Sequence, residues 1–111
     1  SDLKAQNLVD DKAFALTYVR SRMVNKPAGQ ILLRRELWQK GIGEEIIEKA
    51  LQEAYRDKDQ LEVARELVKK RRTRYKDLDH SKRKKRLADF LVRRGFEWEV
   101  VKEVIEEKSG D

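Results

Sequence analysis

The only histidine of the chain, His80, stands between Asp79 and Ser81, so a base, a carboxylate and a hydroxyl are adjacent in the sequence. Nucleophilic catalysis needs such groups to converge on one point, with the base in reach of the nucleophile and oriented by the acid. Consecutive residues on a loop or at a helix start point in different directions. The triplet therefore reads as a polar linker that contributes a cap to the helix after it. Glu44 with Glu45, and Glu106 with Glu107, are carboxylate pairs of the same kind: neighbours that diverge on a helix, with no histidine partner to complete a metal site. Acids in a first helical turn also complement the macrodipole. Gly41 and Gly43 flank Ile42 without the Lys-Ser or further Gly of a phosphate loop, and read as helix punctuation. No catalytic residue, metal ligand or cofactor is expected, and the chain is not expected to be an enzyme.

The basic side chains are more informative. Residues 69–86 hold eleven cations, in KKRRTRYK and SKRKKR, opposed only by Asp77 and Asp79. Like charges packed this closely repel one another on folding, and a polyanion or an acidic protein groove relieves that repulsion; a solvated face is the alternative reading. Tyr75 lies inside the run, placed to stack on a base or to close a helix end. Nothing marks a recognition helix, so sequence-specific readout of bases is not expected. Trp38 adjoins the core position Leu37 and is expected to pack. Trp98 lies opposite the stripe of Val100 and Val101 and is the better candidate for exposure.

These residues must be carried by helices. Asp10 suits the cap of a first helix bearing Phe14, Ala15, Tyr18, Val19 and Arg22 at spacings of three and four. Pro27 fits the first turn of a second helix running to Lys40 with Leu33, Leu37 and Trp38, ended by Gly41. A third runs from about Glu44 to Tyr55, with Ile46, Ile47, Ala50, Leu51 and Ala54 on one stripe. The pattern then repeats. A shift of 49 lays Asp10 on Asp59, Ala15 on Ala64, Tyr18 on Leu67 and Val19 on Val68. A shift of 54 lays Leu33 on Leu87, Leu37 on Leu91, Gly41 on Gly95, Ile42 on Phe96, Ile47 on Val101 and Leu51 on Ile105. The second copy has five more residues between its first two helices. Asp59 followed by Glu62 resembles a capping box, whereas Glu97 is a weak start for the last helix.

An all-α protein of tandem three-helix repeats follows, forming an elongated, curved array. The expected division is residues 1–8 as an N-terminal tail or the remnant of a preceding repeat, 9–57 and 58–108 as the repeats, and 109–111 as a tail. Each repeat is small enough to need its neighbour for stability. Composition agrees: of 111 residues, 43% are charged and 7% aromatic, which suits thin helical layers with long solvated faces. No cysteine excludes disulfides and thiolate metal sites. No apolar run approaches the roughly 18 residues of a membrane span, so a cytoplasmic protein without membrane contact is expected. A start at Ser1 rather than Met hints at a removed upstream piece. Residues 1–57 carry 10 basic and 9 acidic side chains, against 17 and 12 in residues 58–111, so the surplus of positive charge sits in the second half.

FALTYVRSR at Phe14 to Arg22, RELWQKGI at Arg35 to Ile42 and RRGFEWEVV at Arg93 to Val101, in this order and spacing, resemble the RecX family of bacterial recombinase regulators over residues 8–107. The resemblance implies tandem three-helix repeats and a non-enzymatic regulator, usually an inhibitor, of RecA. Such a protein binds the groove of the RecA–DNA filament and suppresses ATP hydrolysis and strand exchange. Members commonly have three repeats, and two are visible here, as in a short member or part of a longer chain. The partner expected is the RecA filament, met as a monomer, with direct single- or double-stranded DNA binding as the second reading. The residues nominated for partner or DNA contact are Arg20, Arg22, Arg34 and Arg35 in the first repeat. In the second they are Lys69, Lys70, Arg71, Arg72, Arg74, Lys82, Arg83, Lys84, Lys85, Arg86, Arg93 and Arg94. Arg20 and Arg22 also admit a structural role along the helix interface.

Overall fold

The computed structural model describes residues 2–107, with side chains from Val9 onward; Ser1 and the tail assigned to 109–111 lie outside the described residues. The order is α1 (Asp2–Asn25), α2 (Gln30–Gln39), α3 (Glu44–Ala54), α4 (Gln60–Arg72), a 3-10 turn over Thr73–Tyr75, α5 (His80–Arg93) and α6 (Trp98–Glu106). Among the described residues there is no strand, and the body measures 60 × 24 × 22 Å. It is built as two successive three-helix units. In the first, α3 packs on both α1 and α2; in the second, each helix packs on the other two.

The inward residues are those of the periodic pattern. Ala15, Val19, Leu33, Leu37, Ile47 and Leu51 are sealed in the first unit, and Val63, Ala64, Val68, Leu87, Leu91 and Val101 in the second. Both α2 and α5 end in the same turn. Gly41 and Gly95 adopt φ of 85° and 90°, and the amide after each, Ile42 or Phe96, donates to the carbonyl of Leu37 or Leu91. This closure satisfies otherwise orphaned carbonyls and tucks an apolar side chain under the helix end, and glycine adopts the left-handed backbone without steric cost.

Three local expectations are corrected. Asp10 does not cap α1, which starts at Asp2, because DLKAQNLV contains no Gly or Pro to stop a helix and is rich in helix formers. Pro27 lies outside α2, in the link before Gly29 and Gln30. Trp38 is not in the core: it is 69% exposed, because Leu37 and Leu33 fill the inward stripe and Trp38 falls on the next face of the helix.

The units are joined through backbone. The Gly29 amide donates to the Arg94 carbonyl at 2.8 Å, and the Ile31 amide to the Gly95 carbonyl at 2.9 Å. The Gln30 amide donates to Gln60 Oε1 at 3.2 Å. The N-terminus of α2, which has no side-chain cap of its own, is thus capped by the second unit. Arg94 Nη1 returns a hydrogen bond to the Pro27 carbonyl at 2.7 Å. Such contact requires bare backbone on both sides. A Cβ on Gly29 would lie 2.5 Å from the Phe96 nitrogen, and one on Gly95 2.5 Å from the Leu32 nitrogen. The buried Tyr55 hydroxyl, at the end of the first unit, donates to the Ala28 carbonyl at 2.7 Å and holds the same link from behind.

Candidate functional site

Asp79, His80 and Ser81, read from the sequence as a polar linker that caps the following helix, form the start of α5. Asp79 Oδ1 accepts the Lys82 amide at 2.8 Å, leaving His80 and Ser81 exposed on the first turn of α5. Asp59 does the same for α4, accepting the Glu62 amide at 2.9 Å. Glu97 precedes α6 without a side-chain cap. Among the described residues no group of three or more His, Asp or Glu is placed to hold a metal ion.

The nominated cations divide into two sets by what their donors already hold. Arg22 is in the first. Its Nε and Nη2 donate to Glu36 at 3.1 and 3.3 Å, and its Nη1 to the Lys26 carbonyl at 2.7 Å. Tyr18 donates to the same Glu36 at 2.7 Å; burial, and then that carboxylate, raise the pKa of its phenol. Arg34 grips Glu48 through two donors at 2.6 and 2.9 Å, which holds the Glu48 carboxyl below its ordinary range. Arg20 approaches Glu53 at 3.5 Å. Arg71 lies 4.2 Å over the Phe90 ring, with its Nε buried and unpartnered. Arg94 sits 5.2 Å over the same ring, and burial, then the charges of Arg71 and Arg22, lower its pKa.

Arg83 belongs with them. It donates to three carbonyls, of Tyr75, Lys76 and Leu78, at 3.3, 3.0 and 3.0 Å. These carbonyls lie where the 3-10 turn runs out, so one guanidinium caps the connection between α4 and α5.

The second set is free. Arg35, Lys69, Lys70, Arg74, Lys82, Lys84, Lys85, Arg86 and Arg93 are exposed, and among the described residues none makes an ion pair. Arg72 is half-buried at the end of α4. Lys82, Lys85, Arg86 and Arg93 share a groove of 440 Å³ with Tyr75 and Leu78, in which Asp89 is the one acid. Side chains of this kind, unpaired yet mounted on a rigid helix, present fixed positive charge without a barrier of broken salt bridges.

Two features escaped the sequence reading. One is the role of Arg83 as a loop cap, which no spacing encodes. The other is Lys102, exposed on α6 beside Lys84 and Lys85. The shift of 54 pairs Lys102 with Glu48 of the first unit, and that change of sign was the available signal.

Comparison with known proteins gives the same family for both units. Residues 10–51 match the family described as RecX, second three-helix domain, and residues 57–105 the one described as RecX, third three-helix domain. The chain is 36% identical over 105 residues to the regulatory protein RecX of Chlorobaculum tepidum, covering 95% of this chain and 62% of that relative. It is 35% identical over 103 residues to the regulatory protein RecX of Geobacillus kaustophilus, covering 93% and 38%. Among solved structures it is similar to a crystal structure of regulatory protein RecX, with a TM-score of 0.79 at 33% identity over 96% of this chain and 53% of the other. It is also similar to that of RecX from Lactobacillus salivarius, with a TM-score of 0.77 at 28% identity over 91% and 68%.

Proposed function

The chain belongs to the RecX family, and from that premise we propose that it regulates RecA by lying along the RecA–DNA filament and lowering ATP hydrolysis and strand exchange. The observation that carries this reading is the set of unpaired cations on the α4 end and on α5, from Lys69 to Arg93, in the second unit of an elongated body. A filament offers acidic protein surface and phosphates at regular intervals. Two tethered units that each bind weakly gain from their high effective concentration once one is engaged. The role is one of binding, and no residue is assigned a catalytic step.

The exposed and unpaired cations Lys84, Lys85 and Arg86 also favour a second reading, in which the protein binds DNA itself without regard to sequence. The two separate by salt and by competition. Bare-DNA binding weakens along a steep log–log line as salt rises, with a slope set by the phosphates neutralised. A filament binder prefers RecA-coated over naked DNA at the same ionic strength. The direct test is RecA ATPase on single-stranded DNA, titrated with this protein and with a K84E/K85E/R86E variant. We expect inhibition by the parent and a rightward shift of at least about 10-fold for the variant, as three phosphate or carboxylate contacts are lost. Absence of inhibition by the parent at saturation overturns the regulatory reading. Equal inhibition by both removes the basic helix from it.

A further inference from the structure

Each unit carries the same groove, between its second and third helices. In the first it is lined by Ile31, Arg35 and Trp38 of α2 with Glu44 and Ile47 of α3. In the second, the residues 54 positions on, Lys85, Asp89 and Val92 of α5 with Trp98 and Val101 of α6, line its counterpart of 360 Å³. One tryptophan stands exposed in each, but on opposite walls: Trp38 on the second helix, Trp98, 60% exposed, on the third. In the second groove Trp98 stands with Val92, 51% exposed, so the indole belongs to a small apolar patch and is not a lone exposed side chain.

The charges around the two differ. In the first unit Arg34 of α2 and Glu48 of α3 neutralise each other at 2.6 Å. The corresponding residues of the second unit are Ala88 and Lys102, so the clasp is gone, a small side chain replaces a long one, and an amine stands where a carboxylate stood. Lys84 and Lys85 add two more free amines on the opposite wall, while Asp89 and Glu106 supply two carboxylates. Amines, an open aromatic face and a few acceptors in one groove suit a ligand that has phosphates, a flat π-face and N–H donors together. An unpaired nucleotide has all three. A duplex hides its base faces, and an acidic peptide leaves the indole unused.

We propose that the α5–α6 groove takes an unpaired base of single-stranded nucleic acid, stacked on Trp98, with the flanking phosphates on Lys84, Lys85 and Lys102. The proposal rests on reading the basic helix as the face toward the nucleoprotein filament. It adds that the strand itself, and not protein alone, is touched there. Stacking on an aromatic side chain tolerates any base and is selective for single strands.

The test uses the full chain carrying Trp38→Phe, which leaves Trp98 as the only indole. Its emission is followed while a thymidine oligonucleotide, an abasic strand of equal length and a blunt duplex are each added, with anisotropy of a labelled strand recording binding independently. The oligonucleotide quenches Trp98 and the abasic strand does not. Trp98→Ala lowers single-strand affinity by about 10-fold or more, in keeping with the usual loss of one stacked base, and leaves duplex affinity within about 2-fold; Trp98→Phe recovers most of the loss. Silent Trp98 emission while the strand binds, equal quenching by the abasic strand, or failure of any strand to bind overturns the proposal. So does an emission change on adding RecA without nucleic acid, which assigns the groove to a protein side chain. If Trp98→Ala still inhibits the ATPase fully while K84E/K85E/R86E does not, the stacking inference alone falls and filament regulation stands.

Discussion

The segment Gln30 to Leu32 in the first unit and Lys84 to Arg86 in the second occupy the same place in the repeat, 54 positions apart on the second helix, and do opposite things. In the first, small and apolar residues bring the chain down on the Gly95 turn, and the amides of Gly29, Gln30 and Ile31 are all satisfied by the other unit. In the second, α5 begins earlier on its own Asp79 cap, and the same positions hold three exposed cations. The glycine turns make the same contrast. Gly41 and Gly95 share a backbone conformation, but a Cβ on Gly41 meets nothing within 4 Å, whereas Gly95 is pressed against Leu32. One repeat position thus serves either as a joint or as an open surface, and the side chains record which: bare backbone at the joint, where Gly29 meets Gly95, and charge where the described residues leave the helix exposed.

The largest expected effect breaks the joint. Gly95→Ala and Gly41→Ala both place an L side chain at positive φ, at about 1–2 kcal/mol each. Only Gly95→Ala also drives a Cβ into Leu32, adding roughly 1–3 kcal/mol of overpacking. Thermal unfolding of the pair isolates the joint from the turn: Gly95→Ala should melt well below Gly41→Ala, by several degrees at roughly 4 °C per kcal/mol. Equal melting temperatures would mean that the contact between units carries no stability.

Next in size is a difference inside the units. Arg22 of α1 meets Glu36 of α2 as an ion pair at 3.1 Å, while the matching pair in the second unit, Arg71 and Phe90, meets as a cation over a ring at 4.2 Å. Phe90 is buried, so the ring also fills core. Phe90→Leu keeps most of the volume and removes the π-face, and should destabilise by about 1–2 kcal/mol in chemical denaturation. In an Arg71→Met background the same change should lose less, since the cation is already absent; an unchanged loss would assign the effect to packing alone.

These pairs also show how far the sequence could be read. The helices, the two glycine turns and the duplicated core were legible because burial of Leu33, Leu37, Leu87 and Leu91 imposes a period, and a positive φ at Gly41 and Gly95 favours glycine. The joint was not, since hydrogen bonds between backbone groups 65 residues apart, such as Gly29 to Arg94, leave no periodic trace beyond a glycine at each end. Composition located the basic region. It could not separate Arg83, committed to three carbonyls, from Lys84 and Lys85 beside it, because that depends on where the preceding turn ends. Trp38 was misplaced for a related reason: adjacency to Leu37 in sequence is a turn of about 100° on the helix.

The caps give a smaller contrast. α4 and α5 start on aspartates that accept an amide, whereas α2 and α3 start on Gly29 and Gly43 without a side-chain cap. Asp59→Ala and Asp79→Ala should each cost about 1 kcal/mol. Gly43→Asp, at a site with negative φ and open space, should add a few tenths of a kcal/mol to the first unit, because glycine is already a tolerable cap. Denaturation midpoints of the three variants measure this directly. An Asp79→Ala loss larger than that of Asp59→Ala would show that ordering of the basic loop depends on its cap.

The smallest effect is acid sensitivity, and it belongs to the clasp that only the first groove has. Arg34 holds the Glu48 carboxyl below its ordinary range in the folded protein, so the pair's stabilisation is fully present above the unfolded glutamate value of about 4.3 and is lost as pH falls through the lower folded value. Both side chains are more than a third exposed, so solvent screening limits the pair to about 0.5 kcal/mol. Glu48→Gln should therefore lower stability slightly at neutral pH and match the parent at acidic pH. An NMR titration should find the Glu48 midpoint below the free-peptide value, and Arg34→Ala should move it back up. The second groove has no such clasp, since its counterparts are Ala88 and Lys102. If Glu48→Gln remains less stable than the parent by the same margin at every pH, the clasp acts through packing. Loss of the carboxylate at the corresponding position of the second unit would then have opened that groove by shape alone.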